Sequence, residues 1–314
     1  MRFLLFKSTG AFGFGAFFMT TNKTSDMKKH LLLIGIISAA LISFSCTEGE
    51  DSNENSPEGS LLVIGGGSRP DVMLDRIIAE TELENPENYA IVLTMSGFDP
   101  DTSGYYGERQ FREKDIENIR FYDFERRHEF SESASDSLEN ASLIYITGGS
   151  QSRFMEAVES VPEIAGSIEN AYMNGAMIAG TSAGAAIMSR IMITGDQANY
   201  PDYTSTFYHL EKDNMVTDEG LGLIEGVIVD QHFVERARNN RLLTAVMEYP
   251  DHVGIGISES TAILVKGNQA EVVGNSQVLV YQNRSGEAKV ENGKTGARSI
   301  QLDIYLPGEM FDID

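Results

Sequence analysis

The sequence predicts an α/β fold, a mostly parallel sheet with helices on both faces and a small antiparallel β extension near the C-terminus. Three observations predict it. Short runs that are apolar at nearly every position alternate with stretches apolar at helical spacing, the pattern of strands buried on both faces. Several of these runs end in glycines or small polar residues, and the carboxyl ends of parallel strands are where such sheets keep their chemistry. Finally, Met177-Ile178-Ala179-Gly180-Thr181-Ser182-Ala183-Gly184-Ala185-Ala186 reads as a buried strand, a tight turn over Ser182 and a small-residue helix from Ala183 to Ser189.

Taken in order, Ser60 to Ile64 is a buried strand running into Gly65-Gly66-Gly67. Asp71 to Glu82 has helical spacing through Val72, Leu74, Ile77 and Ile78, with Leu83 beyond. Tyr89 to Thr94 is a second strand. Ser96 to Gly107, rich in Gly, Ser and Asp, reads as a loop, and Glu108 to Asn118 as a helix. Ile119 to Phe124 is a third strand and Ala134 to Ala141 a short helix. Leu143 to Thr147 is a fourth strand ending at Gly148-Gly149, followed by helices at Ser152–Ser160 and Ile164–Asn174. Beyond the turn at Ser182, the aromatic-rich stretch from Gly195 to Val216 lacks periodicity. It reads either as a lid near the site or as a loop packed on its own aromatics. Val227 to Phe233 is a strand, Val234 to Tyr249 a helix, and Val253–Ser258 and Thr261–Val265 are β segments. From Gly267 onward the pattern is β with Gly and Asn turns.

The N-terminus carries an address. Met27-Lys28-Lys29-His30 is a short basic region, and Leu31 to Ile42 is an apolar stretch too short to span a bilayer. It ends at Ser43-Phe44-Ser45-Cys46, and Cys46 is the one cysteine of the chain. This resembles a bacterial lipoprotein signal with Cys46 as the lipidated residue. Residues 27–46 are then the signal, residues 1–26 a gene-start extension upstream of Met27, and the acidic stretch 47–59 a disordered tether. The domain spans 60–314, exported and lipid-anchored, with the membrane reached only through the anchor. Residues 1–46 hold five of the 24 basic and one of the 47 acidic residues, so the remainder, 19 basic against 46 acidic, carries a net charge of −27. That balance argues against nucleic acid as a partner. With no cysteine after Cys46 there is neither a disulfide nor a thiol nucleophile in the domain.

Gly180-Thr181-Ser182-Ala183-Gly184 is G-x-S-x-G between strand and helix, a nucleophile elbow in which the serine takes an unusual backbone conformation and the helix start offers N–H groups to an oxyanion. The alternative is a serine that merely caps a helix. A nucleophilic serine needs a base, and the base an orienting acid. Of His128, His209, His232 and His252, the first lies among charges and reads as a solvated surface residue. His232 is best placed, at a strand's carboxyl end; the alternative is a hydrogen-bonded structural histidine. Glu259 follows the apolar run Gly254 to Ser258, and a carboxylate in so apolar a stretch needs a partner, either a histidine or a turn's backbone N–H groups. Arg238 and Arg241 share a helical face with Val234, Ala237 and Ala245, whereas Arg236 points away. They await a substrate carboxylate, or else form a structural ion pair or snorkel to the surface. The triple glycine has Pro70 at the third position of a dinucleotide fingerprint, and no P-loop, H-E-x-x-H or paired C-x-x-C occurs, so no cofactor and no metal is expected.

Four blocks carry a family resemblance: Ile146-Thr147-Gly148-Gly149-Ser150-Gln151, Gly180 to Ala185, Asp230-Gln231-His232-Phe233 with Arg236, Arg238 and Arg241, and Gly254 to Ala262. In this order they resemble the cyanophycinases of the S51 serine peptidase family, over about Ser60 to Val280. The resemblance implies a flavodoxin-like, class I glutamine amidotransferase-like fold and a Ser182–His232–Glu259 triad. It also implies an oxyanion hole from Ala183 with Gly148 or Gly149, and a substrate pocket lined by Gln151, Asp230, Gln231, Arg236, Arg238 and Arg241. The substrate implied is cyanophycin, a poly-aspartate bearing arginine on each side chain, or a β-aspartyl peptide, cleaved as a serine exopeptidase would. An aspartyl dipeptidase of the same fold and a non-catalytic peptide-binding lipoprotein are the rival readings. A class I amidotransferase would need cysteine at the elbow, and a homodimer is left open.

Overall fold

The computed structural model describes residues 56–313. Cys46, the signal and the tether up to residue 55 lie outside the described residues. Glu58 and Gly59, assigned above to the tether, already dock: their backbone N–H groups donate to Met173 O and Tyr172 O.

The first half alternates strand and helix: β1 (Ser60–Ile64), α1 (Asp71–Glu80), β2 (Ala90–Leu93), α2 (Pro100–Arg112), β3 (Ile119–Tyr122), α3 (Glu132–Glu139), β4 (Leu143–Ile146), α4 (Gln151–Ser160), α5 (Glu163–Met173), β5 (Met177–Thr181) and α6 (Ala183–Ala186). The second half is mostly β: β6 (Ile191–Gln197), β7 (Met215–Glu219), β8 (Val227–Asp230), α7 (Asn239–Glu248), β9 (Val253–Ile257), β10 (Thr261–Lys266), β11 (Gln269–Gly274), β12 (Val278–Asn283), β13 (Lys289–Glu291), β14 (Lys294–Gly296), β15 (Ile300–Tyr305) and β16 (Met310–Asp312).

The main sheet has the order β16-β11-β10-β1-β5-β4-β2-β3; β1, β5, β4, β2 and β3 pair in parallel, and β10, β11 and β16 add antiparallel strands at one edge. The predicted α/β class and its antiparallel extension are therefore observed. The period of two that a strand imposes sends alternate side chains to opposite cores. Leu62, Ile64, Val92 and Tyr145 pack with Met73, Ile77 and Phe111 of α1 and α2. Leu61, Val63, Leu93 and Ile146 pack on the other face with Phe154, Ile168 and Ile187, and with Val229 and Ile255 of a second sheet.

That second sheet, β15-β12-β9-β8, is a departure from the single sheet expected. The strand before His232 belongs to it, so the histidine reaches the main sheet's edge from a separate layer.

Two local readings are corrected. Ser96–Gly107 is not a loop throughout: α2 begins at Pro100, capped by Asp99, whose carboxylate accepts from Thr102 N at 3.2 Å. Its glycines are there for packing, since a Cβ on Gly104 would run into the Phe121 ring and one on Gly107 would lie 2.7 Å from Val92 Cγ1. The helix expected from Val234 starts only at Asn239. Ala237 takes φ +48°, in the left-handed region that ends helical continuity, and Val234 is exposed. The helical-face argument for Val234 and Ala237 therefore does not apply, although Arg238 and Arg241 are buried and Arg236 is exposed, as it expected.

Candidate active site

The end of β1 brackets three distant segments. Ile64 O accepts from Ser182 N at 3.0 Å, Gly65 O from His232 N at 2.6 Å, and Gly66 O from Ser260 N at 2.8 Å. Three consecutive carbonyls thus hold the backbone beside Ser182, His232 and Glu259. Gly66 (φ +103°) must lack a side chain, because a Cβ there would strike the His232 imidazole, and a Cβ on Gly67 would lie 2.8 Å from Glu259 Cβ. The triple glycine clears room for these side chains, which is a different task from cradling a dinucleotide.

Ser182 has φ +54° and ψ −108°, a conformation L residues avoid and one that strained functional turns adopt. His232 (φ +48°) and Ser260 (φ +55°) share the left-handed region. The side chains line up. Glu259 Oε1 lies 2.6 Å from His232 Nδ1, and His232 Nε2 lies 2.8 Å from Ser182 Oγ. A carboxylate only accepts, so Nδ1 carries the proton and Nε2 accepts from the serine O–H. His232 is 11% exposed at its side chain. Burial, the first cause, and the neighbouring Arg236 and Arg238 charges hold its pKa below the ordinary value against the Glu259 contact, so the ring is held neutral. Glu259 is less sheltered than its apolar run implied, 34% exposed at the side chain, and its own N–H donates to Glu235 at 2.9 Å.

Gly148 lies against the serine; a Cβ there would be 3.3 Å from Ser182 Cβ, while Gly149 (φ +145°) is pressed against Ser96 O. Ala183, first residue of α6, follows the serine directly.

Five of the other six residues of interest form a scaffold beside this line. Arg241 Nε donates to Asp230 Oδ2 at 2.8 Å and its Nη2 to Oδ1, both residues being almost fully buried. Burial pulls the Arg241 pKa down, but Asp230 more than offsets it and the net direction is up. Arg238 Nη1 donates to Gln231 O and Oε1, each at 2.6 Å; its pKa falls to about 10, from burial first and then the Arg241 charge. The carboxylate these arginines awaited is Asp230, so the structural ion pair is the reading the geometry bears out. Gln151 Nε2 donates to Ile193 O and Thr194 O, tying α4 to β6. Arg236 is exposed.

His128 and His209 have partners of their own. His128 is not a free surface residue: its Nδ1 accepts from Asp123 N at 3.0 Å and its ring packs on Phe121 and Tyr122. His209 stacks on Tyr200 at 3.7 Å within the 198–214 connection, where the Tyr203 hydroxyl lies within hydrogen-bond distance of Ala237 O, just before α7, and of Asn240 Oδ1 in it. That connection packs on its own aromatics, as one of its two readings expected.

A cavity of about 330 Å³ opens beside Ser182. Its walls come from the β1–α1 connection, α2 and the ends of β4 and β5, and include Arg69, Thr102, Ser103, Tyr106, Tyr145 and Thr181. None of the six expected substrate residues lines it. Sequence reasoning missed Arg69, three residues after Gly66, and missed the α2 residues because their segment read as a loop. Among the described residues no cluster of three or more His, Cys, Asp or Glu could hold a metal ion, and no helix is long and apolar enough to cross a membrane.

The profile of peptidase family S51 matches residues 110–273. Cyanophycinases from Nostoc sp. and Trichormus variabilis are each 34% identical over 265 residues, covering 81% of this chain and 85% of the relative. This chain belongs to peptidase family S51. The S51 peptidase is accordingly a hydrolase of the serine type. Its fold is shared with the crystal structure of a peptidase from an acI-B1 actinobacterium, with a TM-score of 0.59 at 19% identity, covering 82% of this chain and 98% of the other.

Proposed function

We propose that this S51 peptidase cleaves aspartyl peptide bonds of cyanophycin, releasing β-aspartyl-arginine dipeptides, through a Ser182–His232–Glu259 triad. The unbroken line Ser182 Oγ–His232–Glu259, with contacts of 2.8 and 2.6 Å, carries the reading. His232 Nε2 takes the Ser182 proton as Oγ attacks the scissile carbonyl, and Glu259 stabilises the imidazolium that forms. The N–H of Ala183, with that of Gly148 or Gly149, holds the oxyanion. His232 then gives its proton to the leaving amine, an acyl-enzyme remains, and water activated by the same imidazole releases it. The cyanophycinase relatives support the substrate, and the acidic chain suits a polymer displaying guanidinium groups. Asp230, Gln231, Arg238 and Arg241 act as positioning residues that fix the chain around His232. Incubation of Ser182→Ala with cyanophycin and with β-aspartyl peptides tests the reading. Turnover should fall by about 10⁴-fold or more; product masses unchanged in yield from the wild type would refute it.

A further inference from the structure

We infer that the cavity on the α2 side of Ser182 is a carboxylate-binding subsite anchored by Arg69. The inference rests on the proposed nucleophilic role of Ser182, whose side chain shares the cavity wall.

The charge pattern comes first. The chain is strongly acidic, yet no Asp or Glu lines this cavity, and Arg69 is the one Arg or Lys side chain that does. The guanidinium is held in place by neutral acceptors: Nε donates to Gln110 Oε1 at 2.8 Å and Nη1 to Gly67 O at 2.7 Å. It has no carboxylate partner among the described residues, and Nη2 makes no hydrogen bond there. Arg241, on the other flank of the site, has its charge matched by Asp230. A guanidinium oriented by its neighbours and lacking a counter-charge is built to receive an anion, and a planar one suits a carboxylate.

A second observation points the same way. Tyr145 is 1% exposed and its hydroxyl has no hydrogen-bond partner; the hydroxyl of Thr181, a residue 6% exposed, has none either. Both residues line this cavity. Buried hydroxyls are costly to leave unpaired, so native proteins seldom keep them that way without a purpose. Here each is a donor in the cavity wall with no acceptor of its own. The Tyr145 ring is fixed edge-on against Phe111, with centroids 5.7 Å apart, so its hydroxyl cannot swing to another acceptor without repacking that core.

The ligand group is a carboxylate next to the scissile bond. In the proposed polymer it is the α-carboxylate of a side-chain-linked arginine; in a plain aspartyl peptide it is the free β-carboxylate. Isothermal calorimetry on Ser182→Ala protein separates the two sources. One arm compares β-aspartyl-arginine with its arginine amide; the other compares an α-aspartyl dipeptide with its asparaginyl counterpart. In at least one arm the acid should bind about 10- to 100-fold more tightly than the amide, the range for a charge-assisted hydrogen bond. Arg69→Gln in the same background should remove the preference, Arg69→Lys restore part of it, and Tyr145→Phe reduce it severalfold. In the active protein, Arg69→Gln should raise KM for a cleavable substrate bearing the carboxylate more than KM for the same substrate with that group amidated. Equal binding of acid and amide, no measurable binding of any of the four peptides at millimolar concentration, or a preference that survives Arg69→Gln would each overturn the inference. Labelling of wild-type protein by an uncharged fluorophosphonate reports separately on Ser182. Its absence would sink the nucleophile reading, while calorimetry would still decide the role of Arg69.

Discussion

At the scale of single residues, one imidazole is held neutral and aimed at the Ser182 hydroxyl. Burial and two nearby arginines lower the His232 pKa, and Glu259 fixes which nitrogen holds the proton. The depressed value sets a pH dependence. The base form persists below the ordinary imidazole pKa of about 6.5, so the acid limb of kcat/KM should have its midpoint under that value. A limb centred above it would contradict the burial argument. The same shift bears on stability. As pH falls below about 6.5 the unfolded chain takes up the histidine proton first, so this residue's contribution is present above that pH and is lost on acidification. Ser182, His232 and Glu259 were each singled out at the end of an apolar run with a structural alternative beside it, and only the family resemblance joined them; the structure brings the three side chains together. Arg69 was not singled out. It follows a glycine triplet that invited comparison with phosphate loops, and nothing in its neighbours told that the main chain there would wrap an imidazole.

At the scale of elements, α2 shows where composition misleads. Gly, Ser, Asp and Pro spell a loop by propensity, and propensity is a weak prior that packing overrides. Gly104 and Gly107 let the helix lie close on Phe121 and Val92, and the closeness brings Thr102, Ser103 and Tyr106 to the cavity. The start of the helix depends on Asp99, which caps the Thr102 N–H. Asp99→Ala should cost about 1 kcal/mol in urea unfolding. It should also weaken substrate binding, since the first turn of the helix is a wall of the cavity; a variant unchanged in both would show that Pro100 alone defines the start. The opposite error occurred in the 234–238 segment. Its residues have helical spacing, but Ala237 is left-handed and Arg238 folds back on Gln231 within the same connection, neither of which spacing carries.

At the scale of the whole molecule, two sheets meet at the site. The larger was foreseen because its strands are uniformly apolar; the split that places β8 and β9 in a second layer was not, because both kinds of strand read alike. The layer that brings His232 is secured by a buried ion pair, Asp230 with Arg241. Asp230→Asn strands the guanidinium and should lower stability by about 3–5 kcal/mol, read from the denaturant midpoint at constant m. Asp230→Asn with Arg241→Met should recover much of that loss. A single variant within about 1 kcal/mol of wild type would mean the arginine finds water instead. A last consequence follows from the carbonyls of Ile64, Gly65 and Gly66. Because they grip through peptide groups, the alignment of serine, histidine and glutamate is a matter of counting. Ile64 can be exchanged for another aliphatic residue and the spacing survives. Adding or deleting one residue between positions 64 and 66 would leave the Ser182 contact on Ile64 in place and shift the His232 and Ser260 contacts out of step with it, and activity should be lost while the cores stay intact.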